Sequence, residues 1–253
     1  MNEQLRIKAH CMGQSIAWAF ANPEIEPDAR SSACIEALTK RLTRGEPLAY
    51  LLEKAEFHEV SLKVNASVLV PRPETELLVE LARDEVVHGG RVLELGTGSG
   101  AIALALAGAR PDVDITATDV CEKALQCARE NARPLGQALT FLCADWFAGI
   151  EGGFDAILSN PPYVASDDAC LTRPPLTFEP RRALDGGIGG LEALRRIIEN
   201  ALSRLNSGGM LALEHGFDQG AEVREMLEKG GYVRIATLHD LAGHERVSWG
   251  RRA

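Results

Sequence analysis

Asn160-Pro161-Pro162-Tyr163 joins a side-chain carbonyl to a stiffened backbone. The prolines push Asn160 and Pro161 toward extended conformation. Such a segment presents two fixed acceptors, the Asn160 side-chain oxygen and the Pro161 carbonyl. A planar amide or exocyclic amine nitrogen has a delocalised lone pair and two in-plane N–H donors. Two acceptors fix its plane and leave a π face open to an electrophile. Alkylation of that nitrogen acidifies its N–H groups, so the acceptors hold the transition state more tightly than the ground state. Tyr163 is placed to pack on the planar group and face a cation. Asn160, Pro161 and Tyr163 are therefore the predicted catalytic residues, and Pro162 joins them in binding the substrate. The chain shows no obvious covalent nucleophile, strong general base or metal-ligand set.

Upstream, Glu94-Leu95-Gly96-Thr97-Gly98-Ser99-Gly100 ends a predicted strand and opens a predicted helix. Glycines here let the backbone turn tightly and let a ligand approach the main chain. The helix start presents free N–H groups. Asp119 ends the next strand, where a carboxylate can take both hydroxyls of a ribose. Gly96-x-Gly98-x-x-Ala101 also fits a dinucleotide fingerprint, so a nicotinamide cofactor and a turn without ligand stand as alternatives. Glu94 favours S-adenosylmethionine. A carboxylate two residues before the first glycine suits a ligand carrying an ammonium and a sulfonium, and is awkward beside a pyrophosphate. Asp145 can accept from an adenine amino group and Trp146 can cover the ring; a plain core aromatic is the other reading of Trp146. The predicted cofactor-binding residues are Glu94, Gly96, Thr97, Gly98, Ser99, Gly100, Asp119, Asp145, Trp146 and Asn160.

The elements that must hold these residues follow from the hydrophobic pattern. Residues 1–54 read as a helical domain, with Asn22-Pro23 as a break and Asp28 capping a helix through Leu42. Residues 55–72 read as a β-hairpin linker, with Val60, Leu62 and Val64 alternating and a turn at Asn65-Ala66-Ser67 before Val68-Leu69-Val70. Residues 73–253 alternate helix and strand, as a mainly parallel sheet with helices on both faces requires. The predicted class is α/β, a Rossmann-like methyltransferase fold of seven strands with a small N-terminal helical domain.

With 253 residues, one main domain plus an appendage is expected. The net charge of −9 speaks against a nucleic-acid partner, which calls for a basic face. The six cysteines form no C-x-x-C pair, so reduced thiols and no metal site are expected. Polar Glu3, Lys8 and His10 stand where a signal peptide has its apolar core, so no signal peptide is expected. No apolar run approaches the length of a membrane span. His215 beside Glu214 is read as a structural residue at a strand end.

By motif alone the acceptor is a glutamine amide, adenine N6 or cytosine N4. From about residue 45 onward, however, the chain resembles the HemK/PrmC-like N5-glutamine methyltransferases of peptide-chain release factors. The resemblance is carried by Gly45-Glu46-Pro47, Tyr50-Leu51, Pro71-Arg72-Pro73-Glu74-Thr75-Glu76, the glycine turn, Asp145-Trp146 and Asn160 to Tyr163. Phe178-Glu179-Pro180, Ala183-Leu184, Gly186-Gly187, Gly190-Leu191 and Glu214-His215-Gly216 extend it. It implies S-adenosylmethionine as donor and S-adenosylhomocysteine as product. It also implies the Gly-Gly-Gln glutamine of release factors as acceptor, and a role in translation termination. Arg72 and Glu74 then lie near the substrate cleft, although Pro73 with acids in a first turn is also an ordinary helix start. A cytoplasmic, monomeric enzyme with no membrane or nucleic-acid partner is the expectation. Two departures stand out: Glu53 occupies a position where the family has glycine, and the N-terminal helical region is short. A nucleobase methyltransferase and a non-enzymatic binding module remain the competing classes.

Overall fold

The computed structural model describes residues 3–136 and 139–253. The first two positions of the 1–54 segment lie outside the described residues. That segment forms α1 (Glu3–Cys11), α2 (Ile16–Ala21), α3 (Ala29–Thr43) and α4 (Leu48–Leu51). Asp28 caps α3 by accepting from the Ser31 N–H at 2.7 Å, and Ser15 caps α2 through the Trp18 N–H. Such caps are each worth about 1 kcal/mol. The expectation of six reduced thiols is corrected here, because Cys11 and Cys34 form a disulfide between α1 and α3. Helix packing brings together cysteines 23 positions apart, which their spacing does not reveal.

The hairpin forms, but earlier than its predicted register. Strand β1 (Ala55–Phe57) pairs antiparallel with β2 (Val60–Leu62), turning at His58 and Glu59. Asn65 does make a turn, accepting the Ser67 N–H at 2.9 Å. No strand follows it. Residues 68–70 run instead as a strap pinned by side chains: the Tyr50 hydroxyl donates to the Val68 carbonyl, and the Val70 N–H donates to Glu179 at 3.0 Å. Just before β1, Glu53 has φ +52° and is exposed, a conformation that suits glycine. Glu53→Gly is expected to raise stability by about 0.5–1 kcal/mol, relief of left-handed strain less the entropy of an added glycine. A thermal melt showing a higher Tm checks this.

A 3₁₀ turn at Pro73–Thr75 leads into α5 (Glu76–Glu85). Then come β3 (Arg91–Leu95), α6 (Ala101–Ala109), β4 (Asp114–Asp119), α7 (Glu122–Leu135), β5 (Thr140–Cys143) and β6 (Phe154–Ser159). The chain finishes with α8 (Glu192–Ala201), β7 (Leu205–Glu214), α9 (Gly220–Lys229), β8 (Val233–His239) and β9 (Glu245–Arg251). These last seven strands make one sheet in the order β5-β4-β3-β6-β7-β9-β8. The first five pair in parallel, and β9 pairs antiparallel with both β7 and β8. One apolar layer packs α5, α6 and the hairpin on one face, and the other packs α8 and α9 on the opposite face. Helix α6 is buried from Ala101 through Leu106, which accounts for its Ala/Leu composition on every side.

This order reverses direction between β3 and β6. Open α/β sheets bind ligands at that switch point, beyond the strands' carboxyl ends. Leu95 and Ser159 are register partners there, and the Ser159 hydroxyl donates to the Leu95 carbonyl at 2.8 Å. The glycine turn and the Asn160 tetrapeptide, far apart in sequence, therefore leave the sheet side by side. Among the described residues, no helix is long and apolar enough to cross a membrane.

Candidate active site

A pocket opens at the switch point. Its wall takes Glu94, Gly96, Thr97, Gly98 and Ser99 from the turn after β3, Asp119 from β4, Asp145 and Trp146 after β5, and Asn160, Pro161 and Pro162 after β6. The strap contributes Val68 and Pro71, and Thr75 closes one side. The structure thus gathers most of the residues singled out from the sequence.

The glycine turn divides its work by position. Gly96, Gly98 and Gly100 all have positive φ. A methyl group added at Gly96 or Gly98 would meet nothing within 4 Å, so the main chain there stays open to a ligand. At Gly100 it would come 3.2 Å from the Ala128 side chain of α7. Gly100 therefore serves close helix packing and is absent from the pocket wall.

Two carboxylates face this turn. Glu94 is buried, and burial is the main cause that pushes its pKa up to about 8. The Thr97 hydroxyl and the Ala103 N–H both donate to its Oε2, at 2.8 and 3.1 Å. Among the described residues no hydrogen bond reaches Oε1. A buried carboxylate with one oxygen unclaimed calls for a cation. Asp119 is held through both oxygens, by the Gly98 N–H at 3.0 Å and the Cys121 N–H at 2.8 Å. Burial raises its pKa as well. Each oxygen keeps an acceptor site for a vicinal diol. Trp146 lines the pocket with φ +53°, uncommon for a bulky residue and found where a site over-determines the backbone. Asp145 lines the pocket while its Oδ2 pairs with Arg196 at 2.8 Å. That pair is half exposed on both sides and worth little by itself.

At the tetrapeptide, the Asn160 side-chain N–H donates to the Thr75 hydroxyl at 3.0 Å. No hydrogen bond among the described residues claims Asn160 Oδ1 or the Pro161 carbonyl. The two acceptors expected from the sequence are both free, on the pocket wall. The loop is propped from beneath. The Gln219 side chain donates to the Tyr163 carbonyl at 3.0 Å, and the Val164 N–H donates to the Leu184 carbonyl at 2.9 Å. Gly190, at φ +72°, lies so close that an added methyl would sit 2.1 Å from the Tyr163 carbonyl oxygen. Gly190→Ala is expected to displace the tetrapeptide and lower turnover about 100-fold, the size of effect that a 1 Å misplacement produces. Turnover at saturating substrates, with ligand affinity measured alongside, checks it.

Besides Gly100, three more predicted residues lie off the pocket wall. Tyr163 does not present its ring at the pocket wall; its hydroxyl donates to Glu214 at 3.0 Å, and its body packs on the layer beneath α8. Arg72 is drawn away by the fully buried Glu179 carboxylate. Glu74 also lies off the pocket wall. His215 is buried, bonded to Ser248 and Gly216.

Residues 73–173 match the family described as methyltransferase small domain. The release factor glutamine methyltransferase of Xylella fastidiosa (strain Temecula1) is 43% identical over 246 residues, covering 96% of this chain and 90% of the relative. The chain belongs to the release factor glutamine methyltransferases. The family's Neisseria gonorrhoeae and Bordetella pertussis members are 44% and 41% identical, over 85% and 98% of this chain and 80% and 93% of their own. A methyltransferase of Pyrococcus furiosus shares the fold, with a TM-score of 0.59 at 22% identity, covering 85% of this chain and 96% of that one.

In this member of the family, Thr75, Glu179 and Glu214 shape the site, and beyond the family resemblance no local sequence signal separates them from ordinary polar residues. Thr75 hides inside the proline-flanked segment, and Glu214 sits at a strand end beside the more conspicuous His215. A carboxylate ending an apolar strand is a weaker cue, because a buried charge must find a partner somewhere.

Proposed function

We propose that this chain transfers a methyl group from S-adenosylmethionine to the side-chain amide nitrogen of the glutamine in the Gly-Gly-Gln motif of peptide-chain release factors. The products are N5-methylglutamine and S-adenosylhomocysteine, and the reaction supports translation termination. The observation that carries this reading is the pair of unclaimed acceptors, Asn160 Oδ1 and the Pro161 carbonyl, on a pocket wall shared with the glycine turn.

The residues present fit S-adenosylmethionine. Gly96 and Gly98 leave the main chain open, Glu94 offers a buried carboxylate to the ammonium, and Asp119 offers two acceptors to the ribose diol. Trp146 and Asp145 flank the space left for the adenine. When bound, that donor supplies a methyl group on a sulfonium. Asn160 and Pro161 accept the two N–H groups of the glutamine amide and fix its plane. Their acceptance strengthens as the nitrogen gains positive character, so turnover gains more than binding does.

In this reading residues 1–54 dock the protein substrate, 55–72 link, and 73–253 carry the reaction. The strap at residues 68–71, fastened by Tyr50 and Glu179, ties the first part to the pocket rim. Release factors are the partners, the enzyme works as a cytoplasmic monomer, and the net charge of −9 disfavours nucleic acid. Incubation with labelled S-adenosylmethionine and an equal mixture of release factor, DNA and RNA tests the acceptor class. Label in the release factor is expected. Label in nucleic acid alone reverses the assignment to a nucleobase.

A further inference from the structure

Behind Asn160 lies a hydrogen-bonded chain with a fixed direction. The Asn160 side-chain nitrogen donates to the Thr75 hydroxyl at 3.0 Å. The Thr75 hydroxyl donates to Glu214 Oε2 at 2.6 Å. The Tyr163 hydroxyl donates to Glu214 Oε1 at 3.0 Å. Thr75 and Glu214 are 4% and 1% exposed, so water does not compete for these bonds. The chain ties together the turn before α5, the end of β7 and the loop after β6.

The direction matters because a hydroxyl has one proton. A carboxylate accepts only, so it takes the Thr75 proton. Thr75 can then only accept from Asn160, and the Asn160 amide must turn its NH₂ inward. Its oxygen is left facing the pocket. The opposite orientation would set Asn160 Oδ1 against an oxygen with no proton to share, a buried and unsatisfied contact.

We propose that Glu214, acting through Thr75, is a positioning residue that sets the orientation of the Asn160 amide and so restricts the acceptor to a nitrogen bearing N–H groups. This rests on the reading of Asn160 given above. A nucleophile that offers only an acceptor, such as a carboxylate, meets the Asn160 oxygen with repulsion. Discrimination of amide from acid is thereby built behind the pocket wall.

The carboxylate must be ionised for this polarity to hold. Burial is the main cause that pushes the Glu214 pKa up to about 7, opposed by the Thr75 and Tyr163 hydrogen bonds. The charged groups around it are Arg246 on β9, which lowers the pKa, and Glu74 in the turn before α5, which raises it. Below about pH 7 Glu214 gains a proton and can donate to Thr75. The Thr75 hydroxyl is then free to donate to Asn160 Oδ1, and the amide turns over. Methyl transfer should therefore fall as pH drops through this range.

Steady-state kinetics on full-length Thr75→Val, Thr75→Ser and Glu214→Gln, with release factor as substrate, tests the relay. Thr75→Val is expected to lower kcat about tenfold or more, with S-adenosylmethionine affinity within about threefold of wild type, because the isosteric side chain keeps the fold. Thr75→Ser restores most of the rate. The acid limb of kcat near pH 7 is present in wild type and absent in Glu214→Gln, whose amide oxygen still accepts from Thr75 but does not titrate. Wild-type kcat in Thr75→Val, or an unchanged acid limb in Glu214→Gln, overturns the proposal. A second readout needs no methyl acceptor: the side-chain amide NMR resonances of ¹⁵N-labelled Asn160. They should move in Thr75→Val and titrate near pH 7 in wild type but not in Glu214→Gln. If they do neither, the relay is wrong whatever the substrate. If they do both while wild type methylates no release factor, the relay stands and the acceptor assignment fails.

Discussion

Asn160→Ala is expected to lower kcat about 100- to 1000-fold, the loss that follows removal of one preorganised polar group from a reacting centre. Affinity for S-adenosylmethionine should stay within about threefold, because the glycine turn, Glu94 and Asp119 are untouched. The effect is large for two reasons. The alanine variant removes an acceptor that faces the pocket, and it leaves the Thr75 hydroxyl without the donor it now accepts from. The glutamine plane is then held by the Pro161 carbonyl alone and can rotate about that contact. Asn160→Asp keeps an acceptor toward the substrate but sets a carboxylate against Thr75, whose proton already goes to Glu214. Two carboxylates, one of them buried, then compete for one hydroxyl, so Asp should recover little of the loss. Single-turnover rates and calorimetric titration with the methyl donor separate the two quantities. Loss of donor binding with an unchanged single-turnover rate would contradict the role assigned to Asn160.

Asp119→Asn is expected to act on the other side, raising the Kd for S-adenosylmethionine about 100-fold with a smaller change in kcat. Asp119 spends one acceptor site on the Gly98 N–H and one on the Cys121 N–H. An amide must place its NH₂ against one of those two donors, so the turn distorts at Gly98, where the main chain is open to the ligand. The charged acceptors for the ribose diol also weaken. A hydrogen bond to a charged group contributes about 1.5–3 kcal/mol, and about 1.4 kcal/mol is tenfold in affinity, so the two together account for the expected loss. Titration of the variant by calorimetry reads Kd directly. An unchanged Kd would remove Asp119 from the donor site.

Much of the fold was legible because its signals are local. Arg91–Leu95 is a short, largely apolar strand and Ala101–Ala109 a helix of small and apolar residues, on either side of the glycine turn as expected. Asp28 caps its helix because the capping chemistry spans only three residues. What local reading missed shares one cause: the deciding partner is remote in sequence. Asn65 makes its turn, yet Val68 to Val70 form no strand, because Glu179 and Tyr50 claim their backbone groups first. Arg72 is 107 positions from the carboxylate that holds it, and Tyr163 is 51 positions from Glu214. Tyr163 looks like a face for the substrate when read beside Asn160. In the fold it is a strut whose hydroxyl helps hold the Glu214 carboxylate in place. Cys11 and Cys34 likewise meet only because two helices pack together.

The central claim is that the acceptors on the pocket wall hold a glutamine amide of a release factor. Its most direct test is tandem mass spectrometry of a release factor after incubation with the wild-type enzyme and S-adenosylmethionine. One added methyl group is expected, on the side-chain amide of the Gly-Gly-Gln glutamine, and none when Asn160→Ala replaces the wild type. A methyl group on any other residue, or an unmodified release factor in the presence of enzyme shown to bind the donor, would contradict it.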